Sequence, residues 1–310
     1  MSFASALRLL IGLVIASCAI STPASAGCVA VTFDDLPTYG EGQSIKEDTQ
    51  LTIRLLAGLR RHHIPATGFV NERQLEGPDR GARINLLERW LDAGMDLGNH
   101  GFSHLSLSHT PLDTYIADTE RGALVTSRIL AARGRTELWF RYPFLETGPT
   151  LEVQHAFEAW LTTHGYRVAP VTMENADWRF ADAYNEALAI GDPKRALWIK
   201  SAYIDYSAKA IAWYRKASVK LQDREIRFVL LLHASKLNAD SIDELARILR
   251  RSHLRAVTLN HALKDPAYGL PETISDPDGD DWLTRWSTTL HHELPFDDFP
   301  EVPANIASKD

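Results

Sequence analysis

At 310 residues, with 45% hydrophobic and 24% charged content, the chain reads as an ordinary globular sequence, long enough to bury a substantial core without disulfide staples. A formal net charge of −7 and an isoelectric point near 5.9 argue against nucleic acid or an anionic membrane as the main partner. They suit a neutral or cationic one.

Residues 1–26 have the parts of a secretory signal peptide: Arg8 as the early charge, an apolar run from Leu9 to Ile20, and the small-residue site Ala24-Ser25-Ala26. The run is about a dozen residues, short of the ~20 needed to span a bilayer, so no transmembrane segment is expected in the mature chain. Cleavage near Ala26 would leave a secreted or periplasmic protein starting near Gly27. The competing reading takes Ile15-Ala16-Ser17-Cys18 as a lipobox, with Cys18 a lipidated N-terminus. Both cysteines, Cys18 and Cys28, lie at this end, so the body of the chain has neither a disulfide framework nor a thiolate metal site.

From residue 27 onward short apolar runs alternate with amphipathic stretches, the pattern of an α/β protein with a mostly parallel sheet. Candidate strands are Cys28–Phe33, Ala66–Val70, Asp96–Asn99, Leu138–Tyr142, Tyr166–Thr172, Ile226–Leu232 and Leu254–Leu259. Helical spacing lies between them. In Lys46–His62, Leu51, Leu55, Leu56 and Leu59 share one face, and Pro65 marks the exit into the next strand. The main body is expected to span 27–265. The remainder, 266–310, is an extension rich in proline, acids and scattered aromatics that either packs on the barrel or stays partly mobile. Its acidic run, Asp276 to Asp281, lacks the spacing of a calcium loop and reads as a solvated turn.

Five short segments fall in order at the C-terminal ends of these strands: T-F-D-D at 32–35, H-G-F-S-H at 100–104, R-Y-P-F at 141–144, E-N-A-D-W at 174–178 and L-L-H at 231–233. In a (β/α) barrel those ends converge on one face, where the active sites of such barrels lie. Two carboxylates side by side, Asp34 and Asp35, are costly at a strand end unless a cation compensates them, although an aspartate before Leu-Pro also suits a turn cap. His100 and His104 are four apart, so a helical turn would place both rings on one face, a spacing shared by many zinc sites. Arg141 alone would suit a surface ion pair, Trp178 a core, and His233 a structural role. As a set they make a metal-assisted hydrolase site.

Taken in order, the five segments resemble the motifs of the polysaccharide deacetylases of the NodB-homology type, carbohydrate esterase family 4, over roughly residues 28–260. The resemblance implies a deformed (β/α) barrel and an exported enzyme that hydrolyses N-acetyl groups of N-acetylglucosamine-type sugars in a carbohydrate polymer or oligomer. It further implies Asp34 as general base, Asp35, His100 and His104 as ligands of a divalent metal, and Arg141 as the partner that orients Asp34 and keeps it ionised. Zinc suits two nitrogens and one oxygen, with cobalt or nickel also able to bind. Asp177 would raise the pKa of His233, the general acid. The Phe144 N–H would help hold the oxyanion, Trp178 would wall the pocket, and Leu231 would line the groove for the acetyl methyl. The sequence departs from the family at Gly101, at Phe144, where a tyrosine is usual, and at Glu174, where an aspartate is. Substrate choice is expected to lie in loops at 37–47, 72–83 and 180–206. The other readings are an O-acetyl esterase or other amidohydrolase on the same site, or a non-catalytic carbohydrate-binding protein. A two-carboxylate glycosidase fits poorly, since it leaves the histidine pair unexplained.

Overall fold

The computed structural model describes residues 27–40, 44–136 and 139–306. The expected signal peptide, its Ala26 site and the Cys18 lipobox lie outside the described residues. In chain order the elements are β1 (Gly27–Leu36), α1 (Ile45–Arg61), β2 (Ala66–Val70), α2 (Arg80–Asp92), β3 (Asp96–Asn99), α3 (Leu112–Arg121), α4 (Thr126–Ala131), β4 (Trp139–Phe140) and α5 (Leu151–Thr163). They continue with β5 (Arg167–Val168), α6 (Asp177–Ala189), α7 (Pro193–Gln222), β6 (Phe228–His233), α8 (Lys236–Arg251), β7 (Leu254–Val257), α9 (Leu259–Ala262) and α10 (Trp282–Thr289).

The strands form one parallel sheet in the order β5-β4-β3-β2-β1-β6, with β7 also on β1. β1 is its centre because Val29, Ala30, Val31 and Phe33 are buried, the near-continuous apolar run of a strand covered on both faces. On one edge it pairs with β6, Val29–Asp34 against Phe228–His233. Its other edge is shared, β7 taking Gly27–Ala30 and β2 taking Val31–Leu36. The sheet curls until the chain after β5 meets β6 through a bridge between Met173 and Leu230. This is the deformed (β/α) barrel expected from the sequence, and the strand ends do collect on one face.

Two strands, β4 and β5, are cut to two residues each, far short of their expected spans. β4 stops at Phe140 because the chain then turns through Pro143 and two left-handed residues, Phe144 (φ 58°) and Leu145 (φ 61°). β5 stops at Val168 because Pro170 offers no N–H to a ladder, and pairing resumes only at Met173. The segment 180–206, expected as a substrate loop, is mostly helical. α6 buries Phe180, Ala181, Tyr184 and Ala187, and α7 starts at the Asp192 side-chain cap with Pro193 in its first turn.

α1 follows its predicted span closely. Ser44 and Glu47 form a reciprocal capping box at its start, and Leu51, Leu55, Leu56 and Leu59 face the core. Its Gly58 lies against Ile242 of α8, where a Cβ would collide with the isoleucine side chain, so the two helices approach as closely as they do only because that residue is glycine. Among the described residues no helix is long and apolar enough to cross a membrane.

Candidate functional site

At the C-terminal face of the sheet lies a cavity of about 520 Å³. Eight of the ten expected site residues line it: Asp34, Asp35, His100, His104, Phe144, Trp178, Leu231 and His233. The other two, Arg141 and Asp177, are buried behind the wall, each touching a residue that lines it.

Asp34 and Asp35 lie near the end of β1, where Asp35 adopts φ 60° and breaks the alternation of the strand, so that both carboxylates line the same cavity. Asp34 is 3% exposed and Arg141 is fully buried beside it. The pair is not the two-nitrogen fork that a guanidinium often makes. Nη1 alone reaches both carboxylate oxygens, at 3.3 and 3.2 Å, while Nη2 donates to Thr32 Oγ1 at 3.2 Å and Nε to the Ala169 carbonyl at 2.6 Å. Burial wins over the guanidinium, and the Asp34 carboxyl is pushed up to about 6, so Arg141 holds it in place without making it a strong acid.

The histidine pair converges by a loop and not by the expected helical turn. Residues 100–104 carry no helix, and His104 sits at φ 57°, folding its ring back toward His100 with centroids 4.9 Å apart. The loop is held by polar side chains: Asn71 Nδ2 donates to the His100 carbonyl at 2.6 Å, and the Asp118 carboxylate accepts from the Phe102 and Ser103 amides at 2.9 and 3.0 Å. The two rings therefore meet through a left-handed loop residue and not through the helical turn that a spacing of four suggested.

Donor atoms of Asp35, His100 and His104 all lie within 4.8 Å of one another. Asp35 Oδ1 is 3.5 Å from His104 Nε2 and 3.8 Å from His100 Nε2. Ligands of one tetrahedral zinc, each at ~2.0–2.2 Å, would stand about 3.3–3.6 Å apart, so the three fit a common cation with little movement. His100 Nδ1 bonds the Arg141 carbonyl at 2.9 Å, which places the ring proton there and leaves Nε2 with a free lone pair. Burial depresses the pKa of both rings, well below the usual value for His100, and favours the neutral form that a metal requires.

On the opposite wall His233 Nε2 is 3.9 Å from Asp35 Oδ2. Its Nδ1 bonds Asp177 Oδ1 at 2.8 Å, and its backbone N–H donates to Asp177 Oδ2 at 2.6 Å. Asn238 Nδ2 bridges Asp177 Oδ2, at 2.5 Å, and the His233 carbonyl, at 2.8 Å. Burial opposes the charged ring, yet the carboxylates of Asp177, Asp35 and Asp34 outweigh it and raise the imidazole to about 9. Glu174 also faces the cavity. Burial, followed by the nearby Asp281, Asp177 and Asp280 carboxylates, pushes its carboxyl up to about 8, which leaves it protonated at neutral pH.

Trp178 is 43% exposed on the cavity rim, which removes the core-packing reading. Leu231 is 8% exposed at the cavity floor. The Phe144 ring is exposed and stands edge-on to His104 at 4.4 Å, a contact beyond the backbone role expected for it. Sequence reasoning missed Tyr39, Glu146, Asp278 and Gly279, which also line the cavity. Only Tyr39 carried a signal, lying four residues past Asp35 at the mouth of the same strand. Its ring lies 4.9 Å from His233 and its hydroxyl donates to Asp182 Oδ1 at 3.1 Å. A second groove of about 1000 Å³ shares Asp35, Tyr39 and His104 with the cavity and extends past Arg73 and Arg83.

Residues 21–167 match the polysaccharide deacetylase family model, a stretch that holds the first three motifs and ends before the fourth. The chain is 27% identical over 165 residues to a peptidoglycan-N-acetylglucosamine deacetylase of Bacillus cereus, covering 53% of this chain and 51% of that one. It thus spans about half the length of the curated relative it matches. Among solved structures it is similar to a polysaccharide deacetylase of Bacillus cereus (17% identity, TM-score 0.52, 75% of this chain and 91% of the other). It is equally similar to a carbohydrate esterase family 4 pseudoenzyme of Bacillus anthracis (17% identity, TM-score 0.51, 78% and 66%). Over residues 21–167, a little under half of its length, the chain is similar to the polysaccharide deacetylases. Since the same fold serves a deacetylase and a pseudoenzyme, activity has to be argued from the site.

Proposed function

We propose that the chain is an exported, divalent-metal-dependent deacetylase that hydrolyses N-acetyl groups of N-acetylglucosamine-type sugars in a polymer or oligomer. The observation that carries this reading is the grouping of three metal-ligand donors within 4.8 Å of one another, with an oriented carboxylate and a carboxylate-paired imidazole on either side. A binding protein would have no use for that arrangement. Export rests on the pattern of residues 1–26, and a polymer suits the groove that continues beyond the cavity.

Asp35, His100 and His104 would hold the cation, with zinc the best match to two imidazoles and a carboxylate. A cation there supplies positive charge that acidifies a water and polarises the acetyl carbonyl. Asp34, fixed by Arg141, takes the proton of the attacking water. The Phe144 N–H donates to the carbonyl oxygen as it gains charge. His233, held protonated by Asp177, passes its Nε2 proton to the sugar nitrogen as the C–N bond breaks, leaving acetate and the free amine. Leu231 gives the acetyl methyl an apolar seat, and Trp178 offers a face for a sugar ring.

Acetate release by residues 27–310 loaded with zinc, across N-acetylglucosamine oligomers, peptidoglycan and O-acetylated xylan, tests the reading, with Asp34→Asn as control. Asp34-dependent release from the first two supports it. Release from xylan alone would make the protein an O-acetyl esterase, and one bound metal per chain with no release anywhere would favour the binding protein.

A further inference from the structure

The segment 276–285 lies far beyond the residues that match the family model, yet it is built into the wall of the site. Asp278 and Gly279 line the cavity together with Asp34 and His233. The segment is fastened to the turn at Phe144 and Leu145, whose consecutive left-handed conformations L-residues adopt only when their surroundings impose them.

The fastening runs through Arg285, 3% exposed. Its Nη2 donates to the Leu145 carbonyl, its Nη1 to Thr147 Oγ1 at 3.1 Å, and its Nε to the Asp280 carbonyl at 2.9 Å. Asp276 sits 2.8 Å from the same guanidinium and accepts the amides of Asp278, Gly279 and Asp280 at 3.1, 2.9 and 2.6 Å. Backbone bonds complete the joint, Thr147 N–H to the Asp276 carbonyl at 3.0 Å and Asp276 N–H to Thr147 Oγ1 at 3.2 Å. Gly279, at φ 85°, packs so closely that a Cβ there would collide with the Phe144 carbonyl oxygen. One buried guanidinium thus ties the tail and the turn into one rigid unit.

We propose that this C-terminal segment is a positioning element of the site, in which Arg285 and Gly279 hold the Phe144–Leu145 turn so that the Phe144 amide stays aimed at the reacting carbonyl oxygen. The inference rests on the deacetylase reading for the role of that amide, and on geometry alone for the role of the strap. Arg285 touches no substrate, so its effect belongs in kcat and in the turn's rigidity.

The test compares Arg285→Lys, which keeps a charge for Asp276 but loses the fork to Leu145 and Thr147, with Gly279→Ala and with Thr284→Val. The last removes the hydroxyl that bonds Asp281 Oδ2 at 3.0 Å, weakening the cap of α10 without touching the turn. Losing one oxyanion donor typically costs about 10²–10³ in kcat, so a displaced one should cost about tenfold or more. We expect that loss in Arg285→Lys and Gly279→Ala with KM, metal content and the pH limbs unchanged, and wild-type kcat in Thr284→Val despite a lower Tm. Faster amide hydrogen exchange over residues 144–147 in Arg285→Lys, and not in Thr284→Val, is expected whether or not any substrate turns over. Unchanged exchange, kcat within about twofold of wild type in folded Arg285→Lys and Gly279→Ala, or an equal loss in Thr284→Val would overturn the inference. A wild-type chain that releases no acetate yet shows the exchange difference would overturn the deacetylase reading and leave the strap standing.

Discussion

The Asp34 carboxylate is held by two opposing effects, burial that favours its neutral form and a guanidinium that favours its charged one. The His233 imidazole has the reverse balance, with burial against the charge and Asp177 for it. If the first is the base and the second the acid, activity requires Asp34 deprotonated and His233 protonated. The profile of kcat/KM should then rise with pH through the Asp34 value and fall through the His233 value, a bell between about 6 and about 9 for these groups alone. A bound cation favours the less positive form of each and moves both limbs down. Asp177→Asn removes the charge that raises His233, so its alkaline limb should move to lower pH while the acid limb hardly moves; a profile identical to wild type would remove His233 from the acid role. The same sign governs stability. A folded-state pKa raised from 6.5 to about 9 stabilises the fold fully below the unfolded value, and this is lost as pH rises through about 9. Asp34→Asn should keep its metal and lose most turnover, whereas His100→Ala should lose both, as metal analysis of the purified proteins would show.

At the scale of elements, the predicted face of α1 can be tested without reference to function. Leu55 is fully buried between the helix and the sheet, and Leu55→Ala should destabilise by about 2–5 kcal/mol in denaturant unfolding. Ser44→Ala, at the capping box, should cost only about 1 kcal/mol. That helix was legible because leucine periodicity and a following proline agree; its Ser44 cap came only with the structure. β4 and β5 were legible in place but not in length, because what ends them is a left-handed turn and a proline whose consequences depend on what lies beside them. The segment 180–206 was misread as loop although Asp192-Pro193 is a good helix start, since its apolar residues are mixed with polar ones that serve α6 and α7 on both sides.

For the whole molecule, a cation held by Asp35, His100 and His104 would join the end of β1 to the loop after β3, so its binding should be linked to stability. At 100 times its Kd a ligand specific to the folded state adds about 2.7 kcal/mol. Zinc should therefore raise the Tm of the wild-type chain, a chelator should reverse the gain, and His100→Ala should respond to neither. An equal shift in that variant would place the metal elsewhere. The long acidic tail also belongs to this scale. Expected as a solvated turn, Asp276 and Asp281 are instead buried, one receiving three amides of its own loop and the other capping α10.

What the sequence determined by itself was the set of chemical groups and their assignment to strand ends: short motifs placed after apolar runs can be read without coordinates, because a parallel sheet delivers every strand's C-terminal end to the same face. Only the tertiary structure decided how those groups meet. Asp35 and His104 aim their side chains through left-handed backbone, Arg141 divides its donors among three partners, and part of the cavity wall comes from Asp278 and Gly279, in the tail beyond all five motifs. Positive φ at a non-glycine residue and the buried fastening of Arg285 have no local signature. They are imposed by packing around them, and packing is a property of the folded chain.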